Sequence, residues 1–391
     1  MRAARDRRPR RAARLYRSGP RIVRPLLALV QSGMRKIKLF AWLLCFIFVC
    51  GLIVLPAGRG HLQQFSGAHP GVPIFLLLTL FLAIPGNIVT LVAAFLFEWL
   101  LIGWSRSSLK TLWEARASVK LDALSIAMTL LPLGRLGYIL SLGLLFAIDT
   151  HAAQSGNFSL TRFLPLWGIQ ITVLVLCHSC ISYWVHRLQH AIPALWALHK
   201  FHHSADRMSI LNSERRTQLA KGVEEGLAFV PLILLSDPTA SKPVVGSLSF
   251  VMVVIYVAFR TFTSINMYLC HSNLTTDYGW IGRWLLVSPR MHRLHHAESR
   301  DYHDKNFTFD LVIWDRLFGT YATCDAEIVA DIPLGLKDNP FNSSGTIKGV
   351  LLNYFLTPYL VFWHELRKGF KAWLPERRQG AAANGYPLRV L

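Results

Sequence analysis

Eight of the chain's fifteen histidines fall in three short boxes: His186 with His190, His199 with His202 and His203, and His292 with His295 and His296. The first box reads HxxxH and the other two HxxHH. A neutral imidazole binds a transition metal without adding charge, and eight of them exceed what one ion can use. On a helix, residues at i, i+3 and i+4 share a face, so each box presents its histidines as one stripe. Three such stripes facing one another make a site for two metal ions. Acidic residues near the boxes are few, which does not fit the carboxylate-bridged centres of soluble four-helix proteins. No HExxH occurs, and His364-Glu365 runs on into Leu-Arg-Lys, so a zinc-peptidase signature is absent. An all-histidine set suits iron or zinc by ligand type, and only iron changes oxidation state to activate oxygen.

The elements that must hold these boxes are apolar. The 391 residues are 52% hydrophobic and only 16% charged, and the apolar residues come in runs rather than in alternation. That pattern argues against two soluble domains and predicts an all-α, polytopic membrane bundle of about four to six spans. Leu39 to Leu55 reads as a first span. Val72 to Trp104, interrupted by Pro85-Gly86, reads either as one tilted, kinked span or as a tight hairpin. Leu121 to Ile148 is a weaker span with Asp122 and Arg135, and Leu164 to Val185 is a clear one that runs straight into His186. Two apolar stretches, Leu227–Leu235 and Val244–Phe259, flank a polar knot at Asp237–Lys242 and read as a helical hairpin. Val350 to Phe362 is either a short final span or an interfacial helix. Glu98 and Arg260, costly in lipid, are expected to face the bundle interior or to snorkel, Arg260 by structural pairing or against a polar substrate group.

Residues 1–38 carry eleven arginines and two lysines against a single acid, Asp6. This marks a disordered cytoplasmic flank under the positive-inside rule, rather than a transit peptide. Only Tyr16 interleaves the charges, so no nucleic-acid partner is expected. With the N-terminus cytoplasmic and one crossing per block, the chain emerges at His186 on the cytoplasmic side. The hairpin then returns the third box to that same side, forming a cytoplasmic histidine-box cap. Cys177 and Cys180, a CxxC inside an apolar run, read as small residues on a membrane helix rather than a metal or redox pair.

The run Tyr183-Trp184-Val185-His186-Arg187-Leu188-Gln189-His190, followed by Trp196 and His199 to Ser204, resembles the fatty acid hydroxylase/sterol desaturase superfamily. So does Pro289-Arg290-Met291-His292-Arg293-Leu294-His295-His296, with Asn306 and then Trp314-Asp315-Arg316-Leu317-Phe318-Gly319-Thr320. The resemblance covers about residues 120–322. It implies a membrane di-iron enzyme that uses O2 and external electrons to hydroxylate or desaturate a lipid. The metal ligands it implies are His186, His190, His199, His202, His203, His292, His295 and His296, with His271 filling the position ahead of the third box. His303 and His178 are further candidates, as ligands or as groups that orient them. Ser179 stands where the family often has an Asp, and Thr308 follows Phe307 where Gly is common.

The expected organisation is therefore a basic tail over 1–38, membrane spans over 39–120, a catalytic domain over 121–322, and a C-terminal helix with a basic tail over 323–391. The expected cofactors are two iron ions, with zinc as the alternative, and O2 as co-substrate. No flavin, nicotinamide or Fe–S motif occurs, so electrons come from a separate donor of cytochrome b5 or ferredoxin type. The substrate is a lipid in an apolar pocket beside the metals. The membrane favoured is the bacterial inner membrane, ahead of the endoplasmic reticulum. A zinc-dependent membrane hydrolase or isomerase on the same boxes is the first rival, and a non-catalytic metal transporter or sensor the second.

Overall fold

In the computed structural model, the described residues are 74–114, 117–130, 167–228, 250–341 and 345–373. The basic tail, the Leu39–Leu55 span, Arg135, His61, His69, His151, the Asp237–Lys242 knot and the chain after 373 lie outside them. The described residues are mostly helical. Among them there is no strand, only two isolated bridges, Leu286 with Leu311 and Ala297 with Leu334.

Helix α1 runs Ile74–Ile102. The Val72–Trp104 block is thus a single helix that continues through Pro85, and the hairpin reading is excluded. Helices α2 (Ser108–Trp113) and α3 (Ala117–Leu130) follow. Helix α4 spans Trp167–Ala191, and its segment Gly168–Ala191 is the one described helix long and apolar enough to cross a bilayer, judged by length and composition. It is the helix that runs into the first box. Helix α5 (Pro193–His203) carries the second box, and Pro193 at its first position costs no hydrogen bond because that N–H has no helical acceptor. A 3₁₀ turn, Ile210–Glu214, leads to α6 (Gln218–Ala228), and α7 covers Phe250–Cys270.

Short elements complete the cap: α8 (Trp280–Trp284), α9 (Pro289–His295), α10 (Ile313–Leu317) and α11 (Ala326–Asp331). The third box sits on α9, seven residues long and too short to persist alone. Ser288 caps it by accepting a hydrogen bond from the Met291 N–H, Pro289 opens it, and its apolar side is buried. The last described elements are α12 (Ile347–Phe355) and α13 (Thr357–Trp373). Their break at Leu356 overturns the short final span over Val350–Phe362. Pro358 has no N–H to donate to the Tyr354 carbonyl, so a helical hydrogen bond is lost at this break. Exposed Leu360, Trp363 and Leu366 recur on one side of α13, which keeps the interfacial reading.

Two apolar clusters hold the boxes in place. Leu121, Met128, Phe201, Phe341, Val350 and Tyr354 lock α5 between α3 and α12. Cys270, Val287, Met291 and Val312 fasten the end of α7 to α9. A buried ion pair adds a directional tie beside the first cluster. The Arg215 guanidinium, fully buried, lies 2.5 Å from Asp122 on α3 and also donates to Ser118 and to Ser204, the residue after His203. Asp122, read from sequence as a charge in a weak span, is thus an anchor of the second box.

Candidate metal centre

All nine histidines of the expected ligand set converge. His186, His190, His199, His203 and His295 form one group, and His202, His271, His292 and His296 form another, with the ligand nitrogens of each group within 4.8 Å of one another. Each group is therefore built by both HxxHH boxes. Successive helical residues point about 100° apart, so the i and i+4 histidines of a box face one group and the i+3 histidine faces the other. The assignment is crossed: His199 and His203 join the first group while His202 joins the second, and His292 and His296 join the second while His295 joins the first. The reading of one common stripe per box is corrected accordingly.

The geometry fits metal ligation. Nε2–Nε2 separations are 3.0 Å for His186–His199, 3.2 Å for His199–His203, 3.1 Å for His202–His271, 3.0 Å for His271–His292 and 3.1 Å for His292–His296. Two ligands at right angles on a metal with bonds of about 2.1 Å stand roughly 3.0 Å apart. Backbone carbonyls fix three of the tautomers. His186 Nδ1 donates to the Phe307 carbonyl at 2.6 Å, His271 Nδ1 to Met267 at 2.9 Å, and His295 Nδ1 to Lys305 at 2.8 Å. A carbonyl only accepts, so each Nδ1 carries its proton and each Nε2 keeps its lone pair for the centre. His190 Nε2 and His295 Nε2 are buried there without a hydrogen-bond partner. Burial above all pulls the pKa of His199, His202, His203, His292, His295 and His296 well below 6.5, and that of His271 to about 4. Neutral imidazoles are the form that binds a metal.

The segment 306–320 shapes the first group. Asn306 has φ 56°, in the left-handed region that Asn tolerates. Its side chain donates to the Met291 and Ala322 carbonyls and accepts from the Ala322 N–H. Asp315, fully buried, accepts from the Phe307 and Thr308 N–H groups and from the Thr320 hydroxyl at 2.7–3.1 Å. Burial raises its pKa while these bonds oppose the shift. It thereby holds the Phe307 carbonyl that orients His186. The Tyr183 hydroxyl reaches Thr320 at 3.0 Å, and Phe309 stacks on His186 with ring centroids 4.5 Å apart. The WDRLFGT run is thus a brace behind the first box, with Gly319 at φ 71° making the turn after α10. Thr308 is fully buried without a positive φ, so Gly is not required there.

His303 and His178 lie outside both groups. His303 is exposed, with Nε2 3.2 Å from the Glu298 carbonyl, and His178 is buried and accepts a hydrogen bond from Arg260. At Ser179 the hydroxyl donates to Asp310, and the Trp314 indole donates to Ser179 at 2.9 Å. Glu98 is fully buried and accepts from the Ser108 N–H, the Ser108 hydroxyl and the Asn273 N–H, fixing the segment just after His271.

A cavity of 170 Å³ opens against His199, His202 and His271. Its lining mixes apolar and polar groups. Its wall includes Glu214, Arg216, Lys221, Glu224, Arg260 and Asp310. Glu214 lies 2.7 Å from Lys221 and accepts from the Tyr268 hydroxyl at 2.7 Å. Burial pushes its pKa up, but Lys221 and Arg216 outweigh it and hold the carboxyl well below the ordinary range.

The comparisons agree with this site. Residues 171–320 match the fatty acid hydroxylase family model, a stretch that contains all nine histidines. The human alkylglycerol monooxygenase is 26% identical over 181 residues, 46% of this chain and 36% of that protein. The ornithine lipid hydroxylase OlsE of Rhizobium tropici is 26% identical over 213 residues, 54% of this chain and 59% of that protein. The very-long-chain aldehyde decarbonylase GL1-6 of Oryza sativa subsp. japonica is 28% identical over 237 residues, 58% of this chain and 34% of that protein. The chain thus spans only part of the length of these curated relatives. No solved structure matches it. Over its histidine segment the chain is thus similar to the fatty acid hydroxylase family and to these lipid-modifying relatives.

Proposed function

We propose that the chain is an oxidoreductase, an O2-dependent membrane oxygenase that hydroxylates or desaturates an unactivated C–H position of a lipid. The observation that carries this reading is the convergence of nine family-motif histidines into two groups of buried, neutral donors. His186, His190, His199, His203 and His295 would hold one iron, and His202, His271, His292 and His296 the other. When bound, the two irons supply the oxygen-activating redox chemistry that side chains lack. The chain's own contribution is to keep the imidazoles neutral, to orient His186, His271 and His295 through backbone carbonyls, and to exclude water by burial. His303, exposed, fits no ligand role, and His178 orients Arg260 rather than a metal.

Membrane residence is part of the proposal. The span-length α4 delivers the first box, and exposed Trp99, Trp104, Trp113, Trp280 and Trp284 suit a lipid–water boundary. We place the chain as a multi-pass bundle of four to six spans, its catalytic domain over 121–322 and its boxes cytoplasmic, in a bacterial inner membrane. Electrons come from a separate cytochrome b5- or ferredoxin-like protein. The test is 18O2 labelling of cells expressing the chain, followed by lipid mass spectrometry. Hydroxylation predicts lipids 16 Da heavier under 16O2 and 18 Da heavier under 18O2, and desaturation predicts lipids 2 Da lighter. Neither product should form with His202→Ala/His295→Ala. Product formation that persists in that double variant would refute the proposal.

A further inference from the structure

The wall of the 170 Å³ cavity says what kind of molecule fits it. Along α7 it is lined by Arg260, Thr263, Ser264, Met267, Tyr268 and His271, a single stripe at intervals of three and four residues. The stripe covers roughly 16 Å of helix at 1.5 Å per residue. An alkyl tail placed here would strip water from charged and hydroxyl groups and return no hydrogen bond, which is unfavourable. The opposite wall is charged but internally neutralised. Lys221 lies 2.7 Å from Glu214, and Arg216 lies 2.7 Å from Glu224.

Two groups remain open. Arg260 donates to His178, and the carboxyl its charge acts on, Asp310, stands beyond the 4.0 Å of an ion pair in the same wall. Asp310, 1% exposed, uses Oδ1 for Ser179 and for the Leu311 N–H, whereas its Oδ2 has no hydrogen-bond partner. Burial raises the pKa of this carboxyl, and the Ser179 and Leu311 hydrogen bonds and the Arg260 charge oppose the shift. A guanidinium without a direct ion pair, set within a helix otherwise rich in apolar residues, is costly unless something binds it.

We propose that this cavity is an anion-binding headgroup site, in which Arg260 holds the phosphate or carboxylate of an amphiphilic substrate. Thr263 and Ser264 solvate the rest of the headgroup. The bond presented to the histidine groups then belongs to the headgroup or to the carbons next to it, not to the far end of a tail. Only this last consequence rests on the oxygenase reading; the binding site itself does not.

The test uses the full chain in neutral detergent, with and without metal, and titrates dodecyl phosphate, dodecanoate, dodecanol and dodecyltrimethylammonium by native mass spectrometry. The two anions should bind at least tenfold more tightly than the other two probes. Arg260→Met should abolish that preference, and Arg260→Lys should keep most of it. Should Arg260→Met not yield a monodisperse helical protein, Arg260→Gln, which keeps a donor for His178 but no charge, makes the same comparison. Anion preference unchanged in the uncharged variant would overturn the proposal, as would equal binding of all four amphiphiles by the parent chain. Inorganic phosphate binding as tightly as dodecyl phosphate would also overturn it, by assigning the cavity to a free anion. A chain that binds no iron yet shows the Arg260-dependent preference would sink the oxygenase reading alone.

Discussion

Each histidine of the centre gives up hydration for a place among other imidazoles, and that exchange has a pH signature. Seven of them outside α4 have pKa values pulled below 6.5 by burial. A folded-state pKa lower than the unfolded one means that the unfolded chain takes up protons first as pH falls. Stability is therefore intact above about pH 6.5 and erodes as pH falls toward the folded values, about 4 for His271. At pH 5.5 each such histidine costs about 1.4 kcal/mol. The chelated protein should lose thermal stability steeply between pH 7 and 5, as circular dichroism melts would show, and the metal-loaded protein much less. Asp315 acts one shell further out. Asp315→Asn replaces one acceptor oxygen with a donor beside the Phe307 and Thr308 N–H groups, so the carbonyl that orients His186 loosens. Loss of such an outer partner weakens metal affinity by roughly 10–100-fold, measurable by competition with a chelator. The convergent histidines were legible in the sequence because metal binding needs particular residue types at helical spacing. Asp310 was not, because its role depends on an approach to Ser179 across 131 positions of chain.

At the scale of elements, the boxes are only as well placed as the helices beneath them. Helix α4 was legible from its length and apolar run, and the short α9 from its Ser-Pro start and its histidines. The separation of α12 from α13 was not read from the apolar run Val350–Phe362, although Pro358 supplied the physical reason. The role of Asp122 was not legible for a related cause. A charge in an apolar stretch reads as a weak span until its partner, Arg215, is seen 2.5 Å away. That pair makes a sharp prediction. Asp122→Ala leaves a buried guanidinium without its carboxylate, which costs on the order of 3–5 kcal/mol. Its melting temperature should fall, and the double change Asp122→Ala/Arg215→Met should recover part of the loss. A single variant as stable as the parent would show that the pair does not anchor α5.

For the molecule as a whole, the sequence shows a greasy helical protein with a histidine cap, and the structure agrees in class. The polarity of the cavity beside the histidines is the property least visible beforehand. Glu214, Arg216, Lys221 and Glu224 come from the 3₁₀ turn and α6, while Arg260 comes from α7, and nothing in their local sequence says that they share one space. The crossing of the two HxxHH boxes is a second such property, since it follows from two helices meeting face to face. It also makes the centre a single unit, because each group needs both boxes. The central claim is that this unit holds two irons, and metal content of the detergent-purified full chain from iron-replete cells tests it most directly. The account predicts about two irons per chain in the parent, the number set by the two histidine groups. It predicts that His202→Ala/His295→Ala, which removes one ligand from each group, retains little of either. Two zincs and no iron, or iron bound equally by parent and double variant, would contradict it.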